Sequence, residues 1–269
     1  MADEKTREGL GRTALITGAS SGIGAAFARV FASHGFDVVL TARRERRLRE
    51  LARELEQAFA ITTHVVTADL ADPAAPEHIF DDLRARGVHV DALVNNAGYG
   101  VPGYFDQSTW QRHRDYLQVM TVAPVHLAHL AAPAMVGRGY GRIINLGSLA
   151  GLLPPHAGGT LYYPAKAFLI KFSLAHAEEL RGTGVQVTAL CPGFTRTNFK
   201  QASGGTVEAV SFPEFLWMDA EEVAAQGYRA VMDGVPVCVP GWFNRVLAAL
   251  FKYLPNSLGR WIIRATSRA

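Results

Sequence analysis

Short apolar runs of strand length alternate with longer segments of helical period along almost the whole chain. The runs Thr13–Thr17, Asp37–Thr41, Thr63–Ala68, Ala92–Asn95, Arg142–Leu146, Gln186–Cys191 and Val237–Val239 predict strands. The segments Gly22–His34, Glu45–Ala58, Glu77–Arg86, Thr109–Met135, Tyr162–Arg181 and Ala220–Met232 predict helices between them. Such alternation predicts an α/β fold with a doubly wound parallel sheet, because right-handed crossovers lay each helix over the sheet. Two stretches fall outside the pattern. Asn198–Met218 is irregular yet rich in Phe, Val and Trp, and Trp242–Arg268 reads as one or two amphipathic helices broken at Pro255. No repeat or Gly/Ser linker divides the chain. Residues 1–241 are therefore expected to form one domain with a lid at about 198–218, and residues 242–269 a helical extension of it.

Composition narrows the picture. A chain of 269 residues, half apolar and one-fifth charged, buries a full core and is not disordered. The net charge of +3 draws largely on the cluster Arg43–Arg53, so no nucleic-acid partner is expected. Cys191 and Cys238 make neither a disulfide framework nor a Cys-x-x-Cys pair, and His126 and His129 share a helix face without a third ligand; no metal site is expected. Met1–Arg12 is polar, unlike a secretory leader, and no uninterrupted apolar run reaches about 18 residues. A reducing cytoplasm is the expected compartment.

Candidate chemistry lies at two places. Thr17-Gly18-Ala19-Ser20-Ser21-Gly22-Ile23-Gly24 follows a strand and opens a helix. Residues without a Cβ let backbone approach a diphosphate, and the helix N-terminus faces the anion, as in a Rossmann-type nucleotide site. At the end of the second strand, Ala42-Arg43-Arg44 offers no carboxylate for a ribose 2′-hydroxyl. Guanidinium donors suit a 2′-phosphate, so NADP(H) is expected, with Arg43 in contact. Arg46, Arg47, Arg49 and Arg53 read instead as a solvated face paired with Glu45, Glu50 and Glu54.

The second place is Tyr162-Tyr163-Pro164-Ala165-Lys166. Tyr162 and Lys166 sit one helical turn apart on one face, so the ammonium is expected to lower the phenol's pKa and make it a general acid/base. Tyr163 has no such partner, since residue 167 is alanine. Ser148 follows the strand Arg142–Leu146, at the strand end where open α/β sheets bind ligands.

Together these motifs resemble the short-chain dehydrogenase/reductase (SDR) family over about Thr13–Gly241. Asp69-Leu70 matches the pair bordering the adenine. Asn95-Asn96-Ala97-Gly98 matches the segment along the cofactor that also ties the sheet. Pro192-Gly193 with Thr197 matches the segment holding the nicotinamide amide. The resemblance implies Ser148, Tyr162 and Lys166 as catalytic residues. It implies cofactor contacts from Gly18, Ser20, Ser21, Gly22, Ile23, Gly24, Asp69, Leu70, Asn95, Ala97, Gly98, Tyr162, Lys166, Pro192, Gly193, Thr195 and Thr197. It further implies a homodimer or homotetramer packed through the helices that carry Met120 and Lys166. One position departs from the pattern. Met120 stands where the family often has an asparagine that holds a proton-relay water, and a thioether holds water poorly. Rerouting through Thr121 or backbone carbonyls, or loss of the relay, are the alternatives.

Phe199, Val207, Val210, Phe212, Phe215, Leu216 and Trp217, with Tyr99, Val101, Tyr104, Phe105, Leu152 and Leu153, suit an apolar acyl, aromatic or steroid-like substrate, or else pack on the domain or on another subunit. His156 borders the substrate or sits in an exposed loop. The basic, apolar tail covers its own core or a subunit, or alternatively lies at a membrane surface. The overall expectation is an NADP(H)-dependent oxidoreductase interconverting a ketone and a secondary alcohol. An epimerase or dehydratase on the same scaffold, or a cofactor-binding sensor with little turnover, are the alternatives.

Overall fold

A computed structural model of the chain describes residues 8–101, 103–155, 157–197, 214–254 and 257–259. Strands β1 (Thr13–Thr17), β2 (Asp37–Ala42), β3 (Thr63–Thr67), β4 (Ala92–Asn95), β5 (Gly141–Leu146), β6 (Val185–Leu190) and β9 (Val237–Cys238) form one parallel sheet in the order β3-β2-β1-β4-β5-β6-β9. The short strands β7 (Thr195–Arg196) and β8 (Met218–Asp219) pair separately. The order reverses between β1 and β4, which opens a crevice beyond their C-terminal ends.

Strand residues are sorted alternately to the two faces. Ala14 and Ile16 of β1, Val38 and Leu40 of β2, and Val94 of β4 enter the core under helices α1 (Gly22–Ser33), α2 (Glu45–Phe59) and α7 (Ala220–Met232). Leu15, Val39 and Leu93, one residue out of step, enter the core on the other face. That second core is shared by α3 (Ala75–Ala85), α5 (Ala123–Gly137) and α6 (Tyr162–Glu179). Strands covered on both faces need apolar residues at consecutive positions, which explains why their runs carry no polar alternation.

The expected helix Thr109–Met135 is not continuous. It divides into α4 (Trp110–Leu117), a π-turn at Gln118–Val122 and α5. Pro124 supplies no amide proton at the start of α5, and the Ala123 amide donates to the Gln118 carbonyl instead. Although the α4–α5 stretch is apolar enough by composition to cross a membrane, half of its most apolar window is buried against the domain. On α2 the expected pairs form as Arg49–Glu45 at 2.6 Å and Arg46–Glu50 at 3.4 Å, whereas Glu54 pairs with Arg29 of α1 at 2.7 Å.

A buried polar chain ties the sheet to the helices below the crevice. The Asn95 amide donates to the Pro124 carbonyl at 3.0 Å and to Asn145 Oδ1 at 2.8 Å. Asn145 in turn donates to Ser173 Oγ at 2.9 Å. Asn145 and Ser173 are wholly inaccessible to water. An alanine at 145 would take one buried hydrogen bond from each neighbour, so Asn145→Ala should lose roughly 2–3 kcal/mol in urea unfolding. A change below about 0.5 kcal/mol, the range of ordinary surface substitutions, would show that the chain is not a structural tie.

Candidate active site

The nucleotide end is built by close approach. Gly22 has φ +56, and a Cβ on Gly24 would lie 2.4 Å from the Gly18 carbonyl oxygen and 2.5 Å from Asn96 Nδ2. Asn96 Nδ2 donates to the Thr17 carbonyl at 2.8 Å. Thr17 Oγ1 accepts from the amides of Asn96 at 2.9 Å and Ala97 at 3.0 Å. The turn is thus braced across the crevice by the strand beyond it. Ser21 stands at the N-cap of α1 without a side-chain cap bond, and no acidic residue occupies the first turn. Uncapped amides at the head of a helix, with no Cβ in front of them, fit a diphosphate.

Other predicted cofactor contacts border this turn. Thr197 lies over it, since a Cβ on Gly22 would fall 3.0 Å from Thr197 Cβ. Thr195 Oγ1 donates to the Gly193 carbonyl at 3.2 Å. Asp69 Oδ1 accepts from the Ala71 amide at 3.1 Å. The side chains of Leu70 and Asn95 are instead committed to the interior, Leu70 in the apolar core and Asn95 in the polar chain. Ser20, Ser21, Ile23, Ala97 and Gly98 are all partly exposed along the crevice.

The arginine that reaches the turn is Arg44. Its Nε and Nη2 donate to Ser20 Oγ at 3.2 and 2.8 Å, and Nη2 also donates to Ser21 Oγ at 2.8 Å. Arg43 is largely exposed and lies 3.8 Å from Asp69. Adjacent arginines at a strand end project to different sides, and only the fold shows which one turns inward. Thr17 and Asn96, the braces, were visible in their motifs, but their partners lie 79 residues apart in sequence.

At the chemical end, Ser148 caps a short 3-10 turn after β5, and its Oγ accepts from the Ala150 amide at 3.1 Å. The Leu149 amide donates to the Pro192 carbonyl at 2.9 Å, which joins this loop to the Pro192–Thr197 segment. Tyr162 is hydrogen-bonded to the Ser148 side chain. Lys166, buried beneath, donates from Nζ to the Leu146 carbonyl at 2.6 Å and sits 5.9 Å from the Tyr162 ring centroid. The three predicted residues are brought together.

Their electrostatics differ from the expectation. Burial pushes the Tyr162 phenol above its ordinary value of 10.0, and the bond from Ser148 only partly offsets it. Burial also brings Lys166 down to about 8. Loss of water penalises both charged forms, and this outweighs the phenolate stabilisation expected from spacing alone. Tyr162 therefore holds its proton at neutral pH. Neighbouring Tyr163 is pushed up to about 12 by burial.

Met120 occupies the π-turn and is almost wholly buried, with its Sδ 2.9 Å from where a Cβ on Gly98 would stand. Thr121 Oγ1 donates back to the Leu117 carbonyl at 2.5 Å, so its proton is spent within its own helix. Beside Tyr162, a cleft is lined by Val101, Tyr104, Phe105, Tyr116 and Leu161, with His113 bonded to the Phe105 carbonyl at 2.8 Å. Among the described residues, no arginine or lysine lines it. Phe199, Val207, Val210, Phe212, the side chain of Phe215, and His156 lie outside the described residues. Trp217 packs on Phe194 with ring centroids 5.4 Å apart. Among the described residues no three His, Cys, Asp or Glu side chains converge as a metal site would require.

The family model for short chain dehydrogenase matches residues 12–207. The chain belongs to the short-chain dehydrogenase family. Among curated SDR proteins, it is 37% identical over 218 residues to sulfoacetaldehyde reductase 2 of Chromohalobacter salexigens, covering 78% of this chain and 84% of that protein. A short-chain dehydrogenase from Sphingobium yanoikuyae in complex with NADPH is 32% identical, with a TM-score of 0.79 and coverage of 91% and 96%. An SDR from Burkholderia phymatum in complex with NAD is 28% identical, with a TM-score of 0.79 and coverage of 90% and 93%. The protein is thus an SDR oxidoreductase of alcohol and keto groups that uses a pyridine nucleotide.

The depressed Lys166 pKa has a thermodynamic signature. Between about 8 and the ordinary 10.5, the unfolded chain binds a proton that the folded protein does not. The stability contribution of Lys166 therefore rises with pH across that window. Urea unfolding of wild type and Lys166→Met should show their difference, wild type minus variant, increasing from pH 8 towards 10.5. A pH-independent difference would mean that the ammonium is not desolvated.

Proposed function

We propose that this SDR protein is an NADP(H)-dependent oxidoreductase interconverting an apolar ketone and its secondary alcohol, with Tyr162 as general acid/base. The observation that carries the reading is the meeting of three groups at the end of β5. Tyr162 is bonded to Ser148, and Lys166 lies beneath the phenol. Bound nicotinamide nucleotide supplies or accepts the hydride. Ser148 Oγ orients the substrate oxygen and stabilises charge developing on it. Tyr162, protonated at neutral pH, delivers its proton to that oxygen in the reductive direction. In the oxidative direction the same phenol must first lose its proton, so alcohol oxidation should speed up towards alkaline pH.

Preference for NADP(H) rests on the two arginines after β2 and the absence of a carboxylate there. Arg44 already bridges the serines of the glycine turn, and Arg43 stands at the strand end. The apolar substrate class rests on the cleft, whose described residues offer aromatic and aliphatic lining and no arginine or lysine. Among the described residues, the lining offers no arginine or lysine to a sulfonate, as in the substrate that names the Chromohalobacter relative. Exposed Val122 and Phe168, at the π-turn and on α6, support assembly of like subunits through this face.

Two measurements test the reading. With a panel of apolar ketones, Tyr162→Phe should lower kcat at least about a hundredfold while leaving NADPH affinity nearly unchanged. If wild type binds NADPH but turns over none of the panel, the sensor reading associated with Met120 takes its place. Separately, Arg44→Ala and Arg43→Ala should each raise the Kd for NADPH about tenfold or more, as loss of a charge-assisted bond does. NADH binding should barely change. Equal losses for both nucleotides would overturn the assignment to the 2′-phosphate.

A further inference from the structure

Helix α8 (Trp242–Tyr253) is held to the domain by one side. Asn244, its buried residue, donates to the Pro240 carbonyl at 2.9 Å and lies against Gly193, where a Cβ would be 2.6 Å from Asn244 Oδ1. The outer side is apolar. Trp242, Val246, Leu250 and Tyr253 are 71%, 57%, 52% and 80% exposed, and spacings of four, four and three place them in one stripe. Arg245 and Lys252, both exposed, lie together along one flank of that stripe. Water would ordinarily select against four large apolar side chains in such a row.

The charge of the segment points to what covers it. From residue 242 to 269 the chain carries Arg245, Lys252, Arg260, Arg264 and Arg268 and no Asp or Glu. With a net charge of +3 for the whole chain, five of these charges fall in this tail, so the rest is net negative. A second copy packed face to face would bring Arg245 and Lys252 against their own mates, with no acid on the helix to neutralise them. An anionic surface that accepts apolar side chains meets both halves of the pattern. Trp and Tyr seat at a headgroup boundary, while Arg and Lys extend to phosphates.

We propose that the outer face of α8 docks the enzyme on anionic lipid surfaces. The contact is peripheral, since the stripe is one face of a twelve-residue helix whose other side is committed to the domain. It is independent of the substrate assignment, because lipid binding is read without turnover.

The test is co-sedimentation of the full chain with phosphatidylcholine vesicles, with and without phosphatidylserine. Binding should be about tenfold or more tighter on the phosphatidylserine vesicles and weaken in high salt. Trp242→Ser/Val246→Ser/Leu250→Ser/Tyr253→Ser should abolish it, and Arg245→Glu/Lys252→Glu should remove the preference for phosphatidylserine. Both variants should keep the wild-type melting temperature and NADPH affinity. Absence of binding to either vesicle, or equal binding to both, would overturn the proposal. So would a serine variant that binds as wild type does. A drop in oligomeric state for the serine variant, without vesicle binding by wild type, would assign the face to a second copy instead.

Discussion

The approach of α1 to the Gly18 carbonyl, with no Cβ between them, sets the geometry on which the site depends. Gly24 sits within what would be clash distance of both that carbonyl and Asn96. A longer spacing would push α1 away from the sheet and separate its free amides from the crevice. The same contact bolts β1 to β4 where the strand order reverses, because Asn96 and Ala97 both donate to Thr17. The nucleotide end is therefore a consequence of how two diverging strands are rejoined, and not of a loop attached to them.

Burial, more than pairing, governs the chemical end. Lys166 and Tyr162 are both moved towards their uncharged forms by removal from water. The fold compensates Lys166 with one carbonyl, that of Leu146. The phenol of Tyr162 therefore keeps its proton at neutral pH. Met120 adds to this dryness. Its side chain fills, with carbon and sulfur, the space between the π-turn and Gly98. Below it, Asn95, Asn145 and Ser173 are linked by hydrogen bonds instead.

The C-terminal helix joins these themes to the outside. Its inner residue Asn244 packs on Gly193, in the segment that meets the glycine turn. Farther along, a Cβ on Gly259 would lie 3.2 Å from Pro154, in the loop after Ser148. The extension thus touches the loops after β5 and β6 while turning its apolar stripe to solvent.

The order of strands and helices was legible because each period in the sequence reports local geometry, and the glycine and Tyr/Lys motifs because their spacings are local as well. Seven apolar runs became seven strands of one sheet, and Ser148, Tyr162 and Lys166 met where their motifs predicted. What long-range packing controls was not legible. Arg44, and not its neighbour Arg43, turned onto Ser20 and Ser21, since that depends on how α2 enters from β2. The break at Gln118–Val122 depends on Pro124 meeting the sheet. The direction of the Tyr162 shift depends on how much water the assembled walls exclude, a quantity that no spacing contains. Sequence determined the elements and the reactive groups; the tertiary structure decided their solvation, and with it their protonation and their reach.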